Sequence, residues 1–167
     1  KAQHPGYETS LQGIHGQRGV TCADCHMPYV ADGGVKYSDH HIQSPLAKMD
    51  RTCLVCHRES EETLRQNVYE RQEKCLEVRD QLEDILAKAH IEAKFAWDQG
   101  ATEAEMKDAL QDIRKSQWRW DYAVASHGAS FHAPQEVLRL MGKGVTYSQE
   151  ARLKIAKVLA RHGFTGD

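Results

Sequence analysis

Apolar residues recur at seven-residue intervals from about residue 61 onward. The repeat consists of Val68, Cys75, Leu82, Ala89 and Ala96, with Leu64, Val78 and Ile85 or Leu86 between its members. Such spacing places one apolar seam along a helix, as in a coiled coil. Because glycine favours the position just past a helix, Gly100 marks the end of this one. The pattern therefore predicts one helix from about Glu61 to about Gln99.

A second helix is predicted directly after this turn. Thr102 and Glu105 have the spacing of a capping box at a helix N-terminus, and the helix should end at Gly128. Because the connection is so short, we expect the two helices to pack antiparallel. The apolar stripe of the second helix consists of Met106, Leu110, Ile113, Trp120 and Val124.

Two shorter helices are predicted near the C-terminus. Pro134 suits the first turn of a helix that ends at about Met141. The last helix starts after Ser148 and ends near Gly163.

The first 60 residues have a different character. They show little helical or strand periodicity and contain many Gly, His and Pro residues. One short hairpin is predicted, with strands at 29–30 and 35–37 joined through Asp32-Gly33-Gly34. A segment this irregular rarely buries enough surface to offset the entropy of folding unless a cofactor organises it.

Length and charge narrow the class of protein. With 167 residues, the chain forms one domain or part of a larger one. A net charge of -2 and a pI near 6.6 give no support for nucleic-acid binding. Apolar residues make up 40%, and no apolar run is long enough to cross a membrane. Since the chain opens at Lys1 without an initiator methionine or a signal peptide, we expect a mature, trimmed or excised segment.

The pattern C-x-x-C-H occurs twice and is the attachment signature of c-type haem. Two thiols add across the porphyrin vinyl groups, and the adjacent histidine supplies an axial nitrogen to the iron. Two copies among 5 cysteines indicate a multihaem cytochrome c. The residues concerned are Cys22, Cys25 and His26 in the first copy, and Cys53, Cys56 and His57 in the second.

These motifs complete the predicted architecture. The fold class is mainly α, a multihaem cytochrome c with an irregular haem-binding N-terminal part. That part comprises residues 1–60. Residues 61–167 form a long antiparallel helical hairpin followed by short C-terminal helices. Together the two regions are predicted to be one part of a larger multihaem domain, and the porphyrins would supply apolar volume to its core.

Other interpretations of the cysteines stay open at this point. Two C-x-x-C pairs can form a four-thiolate zinc site in a structural module, although the stretch from His26 to Thr52 is longer than usual for one. Zinc also leaves the two adjacent histidines unexplained. A self-standing dihaem electron carrier is a further alternative. Cys75, the odd cysteine, lies on the apolar seam and is predicted to be a buried core residue rather than a reactive thiol.

A low-spin electron-transfer haem needs a second axial ligand, His or Met. His15 and His132 are favoured because both stand in loop-like contexts beside small residues. His90 and His127 lie on predicted helices and are interpreted as packing residues. Spacing alone does not decide whether His40 or His41 is an axial ligand.

Across essentially its whole length, the chain resembles the C-terminal half of the ammonia-forming pentahaem cytochrome c nitrite reductases, the cytochrome c552 family. Both C-x-x-C-H motifs contribute to the resemblance. The other matching segments are residues 1–5 (KAQHP), 13–16 (GIHG), 38–40 (SDH), 100–106 (GATEAEM), 117–121 (QWRWD) and 125–128 (ASHG).

The resemblance implies an enzyme that reduces nitrite to ammonium with six electrons in the bacterial periplasm. In that family, a C-x-x-C-K haem is the active site and four bis-histidine haems relay electrons to it. This chain lacks C-x-x-C-K and carries two of the five attachment motifs. It should therefore hold the last two haems, while the missing N-terminal half carries the catalytic haem. The isolated fragment should be inactive. The resemblance also implies a quinol-linked or cytochrome electron donor.

The resemblance further assigns roles to single residues. His4 resembles the distal catalytic histidine above the active-site haem. The side-chain oxygen of Gln3 and the backbone carbonyl of Lys1 resemble calcium ligands, oxygen donors that suit a hard cation. His15 resembles the distal ligand of the haem at Cys53, Cys56 and His57. His132 resembles the distal ligand of the haem at Cys22, Cys25 and His26, and His40 resembles that of a haem whose motif is absent from this chain.

Family members dimerise mainly through long helices of this kind, so the resemblance also implies a homodimer. The seam through Val68, Leu82 and Ala89 agrees with such an interface, although it could equally be satisfied within one chain. We therefore expect the helix pair to form a two-fold interface.

Overall fold

The computed structural model describes residues 5–126 and 128–164. Its helices are α1 (Gly6–Gln12), α2 (Ile14–Gln17), α3 (Cys22–His26), α4 (Glu61–Asp98), α5 (Glu103–Ala125), α6 (Ala129–His132) and α7 (Pro134–Arg161). Strands β1 (Tyr29–Asp32) and β2 (Val35–Ser38) pair antiparallel, and 3-10 turns lie at Pro45–Ala47 and Cys53–Val55. The predicted mainly α class is confirmed. Residues 5–60 are less irregular than predicted, because this described part contains three short helices.

Helix α4 begins and ends close to where the seam predicts. The Ser60 hydroxyl caps the N-terminus by accepting a hydrogen bond from the backbone N–H of Thr63 at 3.2 Å. The chain turns away through Gly100, whose φ of 87° lies in the left-handed region. All five members of the seven-residue repeat are buried: Val68, Cys75, Leu82, Ala89 and Ala96.

Helix α5 has the predicted capping box. The backbone N–H of Thr102 donates to Glu105 Oε2 at 2.9 Å, and the Thr102 hydroxyl accepts from the backbone N–H of Glu105. Met106 and Ile113 are buried, but Val124 is exposed. The apolar stripe is therefore shorter than predicted, and the helix ends at Ala125 rather than near Gly128.

The prediction of two short C-terminal helices is wrong, because residues 134–161 form the single long helix α7. The sequence predicts a break between Met141 and Ser148, which contains two glycines. Gly144 instead permits close packing, since a Cβ there would lie 2.8 Å from Cδ2 of the buried Leu82. Ser148 does not start a helix; it is fully buried and shares a 2.6 Å hydrogen bond with Ser116 of α5.

Helix α7 packs along both α4 and α5, so the three long helices form one bundle. The tight turn at 99–102 makes α4 and α5 antiparallel, as predicted, and Trp120 Nε1 donates to Glu83 Oε1 between them at 2.9 Å. Arg152 of α7 binds both carboxylate oxygens of Glu92 on α4. The seam of α4 is therefore buried within the chain. The bundle core includes Leu82, Leu86, Ala89, Met106, Ile113, Met141 and Ile155.

The predicted hairpin is present in the first part of the chain. Tyr29 pairs with Ser38 and Asp32 with Val35. Gly33 and Gly34 both have positive φ values, 53° and 83°, which a tight two-residue hairpin turn requires. Within residues 5–126 and 128–164, no helix combines the length and apolar character needed to cross a membrane.

Candidate functional site

The first C-x-x-C-H motif forms the short helix α3. Thr21 caps it, and Asp24, a residue of the motif itself, completes a capping box through bonds to the Thr21 N–H and hydroxyl at 2.6 and 2.8 Å. Because residues three apart share one face of a helix, Cys22 and Cys25 are positioned on the same side. His26 follows at the end of the helix. The local sequence therefore presents both thiols and the histidine together.

The second motif begins with a 3-10 turn at Cys53–Val55, which contains its first cysteine. The preceding residue, Thr52, is buried and its hydroxyl donates to the backbone carbonyls of Pro45 and Lys48 at 3.1 and 3.0 Å. This residue ties the start of the motif to the loop that follows strand β2. Cys25, His26 and Thr52 line one small cavity, so the two motifs lie close to one another. Burial, followed by the nearby Cys53, raises the pKa of the Cys25 thiol.

Each motif histidine faces one distant histidine. The ring centres of His57 and His15 lie 6.1 Å apart, with their planes at 73°. Those of His26 and His132 lie 6.3 Å apart, with their planes at 77°. Two imidazole nitrogens bonded at about 2 Å on opposite sides of one metal ion place their ring centres roughly 6 Å apart. The residues present therefore fit one six-coordinate iron in each pair.

The two distant histidines are half-buried. Burial, and after it the neighbouring His57, lowers the pKa of His15. Burial, and after it His26, lowers the pKa of His132. Both shifts favour the neutral imidazole, which is the form that binds a metal. Nδ1 of His132 is buried with no hydrogen-bond partner among the described residues, an uncommon state for a polar atom in a protein interior.

Backbone carbonyls orient two of the candidate ligands. Nδ1 of His26 lies 2.9 Å from the carbonyl oxygen of Gln43, and Nδ1 of His40 lies 2.8 Å from that of Ser38. A ring nitrogen that donates to a carbonyl leaves the other nitrogen free to bind a metal. His57 differs, because its Nδ1 lies 3.6 Å from a carboxylate oxygen of the exposed Glu59.

The elements that carry the two distant histidines touch each other. His15 lies on α2 and His132 on α6, and a Cβ on Gly13 would lie only 1.6 Å from the backbone oxygen of His132. The ring of Phe131 stacks on His15 at 5.5 Å. The small residues beside His15 thus permit close backbone contact. The sequence gives no sign of the Phe131 contact, because it depends on how α6 packs.

The structure gives little support to a zinc site at the motif cysteines or to a reactive thiol at Cys75. No three His, Cys, Asp or Glu side chains in the described part of the chain converge as a set that could hold a metal ion. The four motif thiols therefore do not form a zinc site in this arrangement. A haem needs only two ligands from the protein, because the porphyrin supplies four nitrogens. Cys75 is 5% exposed and burial raises its pKa, as expected of a core residue.

The remaining predicted site residues are Lys1, Gln3, His4 and His40. Lys1, Gln3 and His4 lie outside the described residues. His40 is exposed, and its neighbour His41 interacts through Nδ1 with Asp39 at 2.9 Å.

Comparisons with known proteins agree on one family. The family model for cytochrome c552 matches residues 1–167. Proteins called cytochrome c-552 from Bacteroides thetaiotaomicron and Parabacteroides distasonis are 69% and 70% identical over all of this chain. The chain spans 34% of each, which is about a third rather than the half implied by the sequence resemblance.

A solved structure gives the same result for the fold. The cytochrome c nitrite reductase from Desulfovibrio desulfuricans, a catalytic subunit described with two calcium sites, superimposes with a TM-score of 0.89 at 34% identity. The match covers all of this chain and 37% of that protein. The two proteins are therefore similar in sequence as well as in fold.

Proposed function

Because the chain belongs to the cytochrome c552 family, we propose that it is the C-terminal portion of a periplasmic nitrite reductase and holds two of its electron-relay haems. The parent enzyme reduces nitrite to ammonium. The observation that carries the proposal is the pair of facing histidines at each C-x-x-C-H motif, with ring centres 6.1 and 6.3 Å apart.

Each haem would be held by two cysteines and two histidines. The first set is Cys22, Cys25, His26 and His132, and the second is Cys53, Cys56, His57 and His15. A bound haem supplies a one-electron redox couple. Two histidines holding one iron would leave no open position for nitrite, so these residues suit electron relay rather than substrate binding. Covalent attachment is carried out outside the bacterial cytoplasm, which supports a periplasmic location.

The catalytic role in this portion is assigned to His4. A histidine titrating near neutral pH can donate a hydrogen bond to nitrite and deliver protons. Gln3 and Lys1 beside it would provide oxygen ligands to calcium, a proposal supported by the calcium sites of the Desulfovibrio enzyme. His40 would bind a haem attached elsewhere in the parent. The C-x-x-C-K haem and a quinol-linked or cytochrome donor complete the proposed system.

Replacing His4 with alanine in the full-length protein tests the catalytic assignment. We expect nitrite turnover to fall by about 10²- to 10⁴-fold, because a positioned proton donor is lost. Haem content, measured by intact mass, should not change. His90→Ala is the control, since His90 is exposed and contacts Gln117 on α5. Loss of haem in the His4 variant would mean that His4 is structural, and the present chain alone should show no turnover.

We also propose that the long helices mediate a homodimer. The seam of α4 is buried inside the bundle, so the contact would have to use other positions. Exposed apolar side chains on α4 and α7 support this proposal. They are Tyr69, Leu76, Ile91, Phe95 and Leu153. A monomer in sedimentation velocity, with its haems loaded, would contradict it.

A further inference from the structure

The loop between strand β2 and the second motif contains one candidate haem ligand, His40, and contacts another, His26. We propose that Asp39 is a positioning residue that fixes this loop, through Lys48, so that it orients both histidines. The inference rests on the function proposed above and adds a role for residues that bind no haem themselves.

Both oxygens of the Asp39 carboxylate accept hydrogen bonds. It is 5% exposed, and its Oδ1 accepts hydrogen bonds from the backbone N–H and from Nδ1 of His41, both at 2.9 Å. Its Oδ2 accepts from the ammonium group of Lys48. Its own backbone N–H donates to the carbonyl of Pro28 at 2.9 Å. The carboxylate therefore joins the start of the loop to its far end.

The far end of the loop is also joined to the second motif. The hydroxyl of Thr52, the residue before Cys53, donates to the carbonyl of Lys48 at 3.0 Å. The Lys48 backbone N–H donates to the carbonyl of Pro45 at 3.1 Å. Residues 39–52 therefore form a closed loop in which Asp39 and Lys48 make the cross-connection.

Two backbone carbonyls beside Asp39 accept hydrogen bonds from the ring nitrogens of the two histidines. Ser38, the last residue of strand β2, accepts from His40 Nδ1, and Gln43, four residues after Asp39 in the loop, accepts from His26 Nδ1. Such a bond fixes the tautomer and the ring orientation and raises the basicity of the ligand. A more basic ligand favours the oxidised iron. A loosened loop should therefore raise the midpoint potential of the haem held by His26.

A simple charge effect makes a different prediction, which permits a clean test. Asp39→Asn removes a negative charge and Lys48→Met removes a positive charge. If only Coulomb interactions with the haem mattered, the two variants would shift the potential in opposite directions. If the loop positions His26, both variants weaken the same hydrogen bond, and both shifts are upward.

The experiment is an EPR-monitored redox titration of the full-length protein, in which the haems are distinguished by their g values. We expect each variant to change the oxidised-to-reduced ratio of the His26 haem about tenfold at a fixed potential. That factor corresponds to about 59 mV for one electron. Lys48→Arg keeps a positively charged donor to Asp39, so the midpoint potential of the His26 haem should stay at the wild-type value. The haem held by His57 should shift less, because the Nδ1 atom of His57 lies beside Glu59 and not beside a carbonyl of this loop.

Asp32→Asn is the matched control, because Asp32 is an exposed carboxylate on the same hairpin. Shifts of opposite sign, or no shift in haem-loaded variants, would overturn the inference. If Asp39→Asn does not fold, Lys48→Met compared with Lys48→Arg decides the question. Denaturing mass spectrometry distinguishes the proposed function from the role of Asp39: missing covalent haem in the wild type contradicts the proposed function, whereas an unchanged potential contradicts only the role of Asp39.

Discussion

Replacing Gly13 with alanine is expected to disrupt both histidine pairs at once. The new Cβ would lie 1.6 Å from the backbone oxygen of His132 and 2.8 Å from its carbonyl carbon. Backbone atoms cannot rotate away as a side chain can, so α2 and α6 must separate. Because α2 carries His15 and α6 carries His132, both proposed distal ligands would move. Overpacking of this kind typically costs up to about 3 kcal/mol of folding free energy, sometimes more.

The measurement is the low-spin fraction of the two haems by EPR, together with the midpoint of thermal unfolding. Gly142→Ala is the matched control, since Gly142 is an exposed glycine of α7 with nothing within 4 Å of an added Cβ. Alanine there should be neutral or stabilise by up to about 1 kcal/mol, because glycine is unfavourable inside a helix. A Gly13→Ala protein with wild-type stability and two intact low-spin haems would show that α2 and α6 do not touch as described.

Replacing His132 with alanine is expected to convert one haem from low spin to high spin. The ring centre of His132 lies 6.3 Å from that of His26, so in the proposed site its removal would leave the iron with one protein ligand. The change should affect nearly all of one haem and leave the other low-spin. His15→Ala should produce the same effect at the haem held by His57, because His15 faces that ring at 6.1 Å. EPR and the visible absorption spectrum both report the conversion.

Exogenous imidazole provides a specific check on this prediction. A small imidazole can occupy the space left by the His132 side chain and should restore the low-spin spectrum. His90→Ala, on the exposed side of α4, should change neither haem. A His132→Ala protein that remains fully low-spin without imidazole would mean that another side chain binds the iron.

Features encoded by local chemistry could be predicted from the sequence. The seam through Leu82 and Ala89 follows from helical periodicity, and the capping box at Thr102 uses residues only three positions apart. The continuity of α7 could not be predicted, because Gly144 resembles a helix break. The presence of Gly144 is explained by its contact with the side chain of Leu82, which lies on a helix far away in sequence. Tertiary packing overrides local propensity at this point.

The candidate site shows the same division. The motif histidines His26 and His57 follow from the attachment signature alone. Loop-like contexts beside small residues favour His15 and His132 as second ligands, but only the family resemblance pairs each with its motif, because no periodicity in the chain does. The roles of Gln43 and Ser38 leave no trace in residue type, because each contributes a backbone carbonyl. Contacts of that kind become visible only in the folded chain.

The central claim is that each C-x-x-C-H motif carries one covalently bound haem. Denaturing mass spectrometry of proteolytic peptides from the exported protein tests it most directly. We predict that the peptide with Cys22 and Cys25 and the peptide with Cys53 and Cys56 are each heavier by the mass of one haem. Peptides with free thiols, or with a disulfide and no added haem, from a folded protein would contradict the claim.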